Sequence, residues 1–184
     1  MNEPKEERKP ANPANFRPTL AFFRANAKGT GCALEMNLIP ATGTDEGCIM
    51  ASFANQMTVG DRRGAIPVYP HFDWDHKLVV KLGFDDLCEM LQVFRGERET
   101  LGEDEKGLFH RTKEFFTKIN LRHLVDPTSC YSFELYRTAT NGEESHAHMI
   151  LKPAEALGLC CAIENSLGVI CFGVPKEVRN AAAA

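Results

Sequence analysis

Apolar and polar positions alternate along two long stretches of this chain, and each stretch runs out into a segment with helical spacing. In the first, residues 20–27, 32–39 and 48–58 read as strands separated by glycine- or proline-containing breaks. Met36 and Leu38, then Ile49, Ala51 and Phe53, recur at period two, as in strands with one buried face. Gly60, Gly64, Pro67 and Pro70 around Asp61, Arg62 and Arg63 predict a surface loop over 58–70. Residues 77–82 alternate again, with Leu78, Val80 and Leu82 on one face. The period then changes. Phe84, Leu87, Met90, Leu91 and Phe94 predict a helix that has Asp85 and Asp86 in its first turn and Gly96 as its stop.

Residues 97–107 are acidic and glycine-punctuated, which predicts a linker. The strand pattern resumes over 106–124 and 130–138, and Asn141-Gly142 signals a turn before a last strand at 146–151. Pro153 opens a second helix, expected from 154 to about 167, with proline where its missing N–H does no harm. That helix is apolar around most of its circumference, so it needs more cover than one sheet face gives. Both halves therefore follow one plan, in which several strands lead through KLVVKL or HAHMIL into a helix. The expected class is α+β: two antiparallel β-sheets from duplicated strand-rich halves, 19–96 and 106–173, each ending in a helix. They make a single domain over 19–175, between a proline-rich tail at 1–18 and a short one at 176–184.

With 184 residues, 43% of them hydrophobic, the chain can bury one sizeable core. A formal charge of −4 argues against a protein that coats duplex DNA through phosphates alone, so any positive charge for nucleic acid has to be gathered locally. Seven cysteines occur without a C-x-x-C pair. Cys88, Cys160, Cys161 and Cys171 sit in apolar runs where cysteine acts as a small hydrophobe, which points to reduced thiols and a cytoplasmic setting. The first residues lack the apolar region of a secretory signal, and no apolar stretch approaches the ~18 residues of a membrane span, so no membrane is expected.

Local positive charge is present. Between Lys106 and His123 the cations Lys106, Arg111, Lys113, Lys118 and Arg122 face a single acid, Glu114, and are interleaved with Phe109, Phe115 and Phe116. Cations for phosphates and ring faces for bases are what sequence-tolerant binding of single strands requires. Tyr131, Phe133, Tyr136 and Arg137 repeat the mixture, as do Phe22, Phe23 and Arg24; Lys28, beside Gly29 and Gly31, stands where backbone could approach a phosphate. On strands, Tyr131 and Phe133 share a face while Tyr136 points the other way, and Phe22 and Phe23 take opposite sides. The competing reading makes these rings core and the cations ordinary solvated residues.

Trp74, the only tryptophan, reads as a packing residue at a strand entrance, and Gly29-x-Gly31 as a strand with a bulge. Asp73 and Asp75 read as turn solvation. His146 and His148 share a strand face, but a structural zinc site needs four ligands and no pair at the usual spacing completes it; no metal or other cofactor is expected. No nucleophile elbow, phosphate-binding loop or His-Glu-x-x-His supports catalysis.

Three segments resemble, in order, the Whirly family of single-stranded DNA-binding proteins, whose fold is shared with kinetoplastid guide-RNA-binding proteins. Residues 28–34, Lys-Gly-Thr-Gly-Cys-Ala-Leu, are similar to the family's Lys-Gly-Lys-Ala-Ala-Leu strand. Phe72-Asp73-Trp74 followed by Lys77-Leu78-Val79-Val80 resembles its Tyr-Asp-Trp segment, and residues 150–155 its last strand-to-helix junction. The likeness spans 19–173, and it departs at Thr30 and Gly31, where the family's second lysine, linked to higher-order assembly, is missing. It implies single strands bound along the sheets and a homotetramer joined through the helices. Together with the residues above it nominates Phe22, Arg24, Lys28, Phe109, Arg111, Lys113, Phe115, Lys118, Arg122, Tyr131, Tyr136 and Arg137 for nucleic acid, and Leu157, Leu159, Cys160, Ile163 and Leu167 for the oligomer interface. The expected partner is single-stranded DNA, with RNA or a protein partner on the same oligomeric fold as the alternatives.

Overall fold

The computed structural model describes residues 18–61, 63, 66–125 and 129–174. Apart from Pro18, the tails expected at 1–18 and 176–184 lie outside these residues. The first half is an antiparallel meander of β1 (Thr19–Arg24), β2 (Cys32–Ile39), β3 (Cys48–Asn55) and β4 (Leu78–Leu82), followed by α1 (Phe84–Phe94). The second repeats it with β5 (Leu108–Arg111), β6 (Phe115–Leu124), β7 (Cys130–Ala139) and β8 (Glu144–Leu151), then α2 (Pro153–Phe172).

Strict alternation sorts each sheet into two faces. Phe22, Leu34, Phe53 and Leu78 form one cross-strand row facing the core, and Leu20, Met36, Ala51 and Val80 the next. In the second sheet Leu108, Ile119, Leu135 and Ala147 share the inward side with Leu121, Phe133 and Met149. The inner faces meet at Phe53 and Phe133, both fully buried, with centroids 5.0 Å apart in an edge-to-face contact that suits the ring quadrupoles. β8 runs across the ends of β2, β3 and β4, tied by the Asn55 amide donating to the His146 carbonyl at 3.0 Å.

The helices close the core. Asp86 accepts from the Gly83 N–H at 2.8 Å and caps α1, and Glu155 does the same for the Lys152 N–H of α2 at 2.8 Å. α2 packs on α1, β2 and β7. It runs beyond the end expected at about 167, because Gly168 lies inside an otherwise apolar helical run and the stop falls at Gly173, whose φ of +75° favours glycine. The longer helix is 20 residues long and apolar enough, by length and composition alone, to span a bilayer, which the sequence reading had not allowed. Ala156, Leu159, Cys160, Ile163 and Ile170 on one side of it are buried in this protein's own core.

Two connections depart from expectation. The linker at 97–107 is anchored: Leu101 is buried, its N–H donates to the Leu121 carbonyl at 3.1 Å, and Thr100 bridges Arg122, so the segment lies alongside β6. Residues 28–31 form a turn and not a bulged strand. Asn26 Oδ1 accepts from the N–H groups of Lys28 and Thr30, and a Cβ at Gly31 would sit 2.0 Å from the Arg24 carbonyl oxygen, so only glycine fits.

Candidate nucleic-acid interface

Because Leu135 and Phe133 face the core, their neighbours Glu134 and Tyr136 face solvent, and the register carries that choice across all four strands of the second sheet. One outward row is Arg111, Phe116, Thr138 and Glu144; the next is Phe109, Lys118, Tyr136 and His146; then come Asn120, Glu134 and His148. The rings of this face are in contact. Phe109 and Phe116 lie 5.5 Å apart and 26° from parallel, and Lys118 Nζ stands 5.8 Å from the Phe109 centroid. Tyr136 stacks on His146 at 4.2 Å, and His146 on His148 at 6.4 Å. Phe109, Phe116 and Tyr136 remain 49%, 45% and 39% exposed.

Two hollows run into one another across this surface. An open groove of about 820 Å³ is lined by Arg111, Thr112, Lys113, Phe115, Phe116 and Thr138 with its neighbours. A second, of about 330 Å³, shares Phe116 and Thr138 and continues to Lys118, Asn120 and Tyr136. The trough leads from two cations at the β5–β6 turn along a line of rings. Thr112 Oγ1 shapes that turn by accepting from the N–H groups of Glu114 and Phe115. Burial first, and then Glu134, push the Tyr136 phenol above its ordinary value, so it stays a neutral donor.

The structure divides the twelve nominated residues. Phe109, Arg111, Lys118, Arg122 and Tyr136 lie on the outward face, with Lys113 at the turn beside it. Phe115 belongs to the inward side, half-buried, and also lines the larger groove. Tyr131 is a core residue: its ring packs on Phe94 and His123, its hydroxyl donates to the Phe94 carbonyl, and burial raises its pKa. Phe22 points inward and its neighbour Phe23 outward, so the exposed member of that pair is the one not nominated. Lys28 is exposed at the β1–β2 turn.

Two arginines turn out to be ties. Arg137 faces inward, where its guanidinium donates to the Val79 carbonyl of β4 and to Thr117 Oγ1 and lies 4.9 Å from the Phe115 centroid. Burial lowers its pKa. Arg24 donates to the Ile150 carbonyl and pairs with Glu155, joining β1 to the start of α2. Three further rings of this outward face, Phe116, His146 and His148, are not among the twelve, although Phe116 stands among the interleaved phenylalanines and the two histidines are weighed only for metal. Their signal was parity with Tyr136, which becomes visible only once the strand register is known. His148 Nε2 is 3.0 Å from Ser132 Oγ, and among the described residues no cluster of three metal-ligating side chains forms around either histidine.

The oligomer nominations divide as well. Leu159, Cys160 and Ile163 are buried within the protomer and Leu167 is half-buried, while Leu157 is exposed. Cys161 and Cys171, expected among core residues, are exposed on the same side of α2 as Leu157, because the helix turns them outward.

The architecture has close counterparts among solved structures. The crystal structure of WHY1 from Arabidopsis thaliana superimposes with a TM-score of 0.69 at 16% identity, over 92% of this chain and 94% of that one. The chain has the Whirly fold. WHY3 from Arabidopsis thaliana matches with a TM-score of 0.65 at 16% identity, covering 92% of this chain and 96% of that one. The plant transcriptional regulator PBF-2 matches with a TM-score of 0.64 at 15% identity, over 85% and 83%. No protein-family model and no curated protein matches the sequence. At such identities the Whirly fold is what these structures share with this chain; its site residues stand on its own geometry.

Proposed function

We propose that this Whirly-fold chain binds single-stranded nucleic acid, DNA in the first instance, on the outward face of its second sheet, and catalyses nothing there. The observation that carries this is the exposed line of rings, Phe109, Phe116, Tyr136, His146 and His148, flanked by Arg111, Lys113, Lys118 and Arg122. A protein of net charge −4 has little to draw a duplex whose bases are covered, whereas unpaired bases add stacking to each phosphate contact. Glu134 and Glu144 on the same face limit the ionic part further. The likeness to a plant transcriptional regulator fits a role in which single strands are held during transcription or maintenance of DNA. RNA offers the same ring faces, and discrimination would rest on contacts to the 2′-hydroxyl.

The protein assembles with itself, as a homotetramer, through the uncovered side of α2. Leu157 is 66% and Phe172 90% exposed on a helix whose other side is already buried, and such a surface favours a partner. Seven cysteines, none of them in a disulfide among the described residues, suit a reducing compartment such as the cytoplasm. Competition at ~150 mM salt tests the binding. A labelled single-stranded oligonucleotide should be displaced by unlabelled single strand and hardly by duplex of the same sequence. Equal displacement by duplex, or no binding at micromolar protein, refutes the assignment and leaves the fold as a protein-interaction module.

A further inference from the structure

Glu134 is an acid in the middle of a face otherwise fitted for phosphates and bases. It stands on β7 two residues before Tyr136, and its cross-strand neighbours are Asn120 on β6 and His148 on β8. The cations around it are not spent on it. Lys118, opposite Tyr136, sends its ammonium over the Phe109 ring, and Arg122, one row along, forms no ion pair with Glu134 among the described residues. His148 is engaged by Ser132 Oγ at 3.0 Å. The group beside the Glu134 carboxylate is the Tyr136 hydroxyl. A half-buried carboxylate with no cation has lone pairs to offer to a donor that arrives from solvent.

Asn120 is also half-buried, and its amide makes no hydrogen bond to another described residue. Gly107 lies against it: a Cβ there would fall 2.3 Å from Asn120 Oδ1, so a larger residue would displace the amide. With Oδ1 on that side, Nδ2 is the donor left to the hollow that Asn120 lines with Lys118 and Tyr136. A carboxylate and an amide donor thus stand side by side on neighbouring strands, about 5 Å apart by sheet geometry, and next to a ring. Two residues along a strand span about 6.6 Å, so a base lying over Tyr136 has its edge above Glu134 and Asn120.

The bases differ at that edge. Guanine alone presents two adjacent donors, N1–H and N2–H, which match the two oxygens of a carboxylate, with the acceptor O6 beside them. Adenine and cytosine offer one amino group each, next to a ring nitrogen acceptor. Thymine and uracil set a carbonyl on either side of their single N–H, and those oxygens would face the carboxylate.

We propose that Glu134 and Asn120 select guanine from among the unpaired bases stacked on Tyr136, the Glu134 carboxylate accepting from N1–H and N2–H and Asn120 Nδ2 donating to O6. This rests on the single-strand reading given above and deepens it. Stacking and phosphate contacts accept any strand, and this pair adds a preference at one position of it.

The full-length protein is titrated with fluorescein-labelled nonamers (dT)4-X-(dT)4, following anisotropy, with X a single guanine, 7-deazaguanine, inosine, adenine, cytosine or thymine. Guanine should bind about tenfold more tightly than thymine, as a bidentate pair discriminates. 7-Deazaguanine, which keeps the pairing edge, should equal guanine, and inosine, which lacks the N2 amino group, should fall between guanine and thymine. Glu134→Gln, with unchanged Tm, should remove most of the guanine preference while binding the all-thymine strand at least as well as wild type does. Equal affinity of the wild type for guanine and thymine overturns the selection and leaves sequence-tolerant binding. A Glu134→Gln variant that binds every nonamer more tightly by one common factor also overturns it, by making Glu134 no more than a charge among phosphates. No anisotropy change with any nonamer refutes the single-strand reading itself.

Discussion

Phe109 and Phe116, diagonal neighbours on β5 and β6, stack 5.5 Å apart on the solvent side of the second sheet, where neither serves the core. Replacing either with alanine is expected to weaken binding of a (dT)20 oligonucleotide by about 1–3 kcal/mol while leaving Tm and the salt dependence nearly unchanged. Lys118→Gln and Arg122→Gln should instead flatten the log-log salt slope, by about 0.7 for each phosphate no longer neutralised. Anisotropy titrations at several salt concentrations, set beside thermal melts, separate the two classes. If the phenylalanine variants lose Tm and affinity together, the rings are structural.

Arg137 should behave in the opposite way. Its guanidinium links β7 to the β4 edge through the Val79 carbonyl and to Thr117, so Arg137→Ala leaves acceptors without a donor between the sheets. The expected cost is about 1.5–3 kcal/mol of stability in urea unfolding, typical of hydrogen bonds to a charged group. Binding measured at a temperature where the variant is folded should stay near wild type.

The strands and both helices were legible because their patterns depend on local periodicity. Met36, Ile49, Val80 and Leu87 could be assigned to a core from spacing alone. The candidate site was only half legible. Sequence parity separates Tyr131 from Tyr136 and Phe22 from Phe23, but it leaves open which member of each pair is buried. Only the pairing of Phe22 with Leu34, and of Tyr136 with Lys118 and His146, fixes the sides. Arg24 and Arg137 looked like phosphate ligands because the groups that engage them, Glu155 and the Val79 carbonyl, are 131 and 58 residues away in the chain. Such tertiary partners leave no mark in the local sequence.

His110 on β5 meets Asp86 of α1 with Nε2 and Oδ1 3.0 Å apart. The hydrogen bond to Asp86 raises the histidine's pKa above its ordinary value, against an opposing contribution from burial. The folded state therefore holds the imidazolium proton more tightly than the unfolded chain. The resulting stabilisation is fully present below the unfolded-state value of about 6.5 and is lost as pH rises through the higher folded-state value. Urea midpoints of the wild type should fall between pH 6 and pH 8 relative to those of His110→Gln. Parallel pH profiles for the two proteins would show that this pair contributes nothing.

The uncovered side of α2 has a sequence that suits pairing with a second copy of itself. Its exposed positions are Leu157, Gly158, Cys161, Glu164, Asn165, Gly168, Cys171 and Phe172, with Pro153 and Ala154 at the start. Two such helices laid antiparallel about a point between Glu164 and Asn165 set Leu157 against the partner copy's Phe172, Gly158 against Cys171 and Cys161 against Gly168. Gly158 and Gly168 have nothing within 4 Å of an added Cβ in the protomer, so packing inside one chain does not require glycine there, whereas close approach of a second helix does. Glu164 does not oppose the pairing, since Arg95 Nη2 neutralises it at 2.8 Å. Light scattering after size exclusion should show a multiple of the 20.5 kDa chain, reaching four copies if α2 pairs assemble further. Leu157→Glu and Phe172→Glu should reduce that mass without lowering the protomer's helix content, because the charge is buried only in the assembly. Leu159→Glu and Ile163→Glu should unfold the chain, since both are buried within the protomer. Gly168→Cys adds a decisive geometry: under mild oxidation it should form an intermolecular disulfide with the native Cys161, giving a dimer on a non-reducing gel that Cys161→Ser abolishes. A wild-type mass of one chain at micromolar concentration, or a Gly168→Cys dimer that survives Cys161→Ser, rules this pairing out.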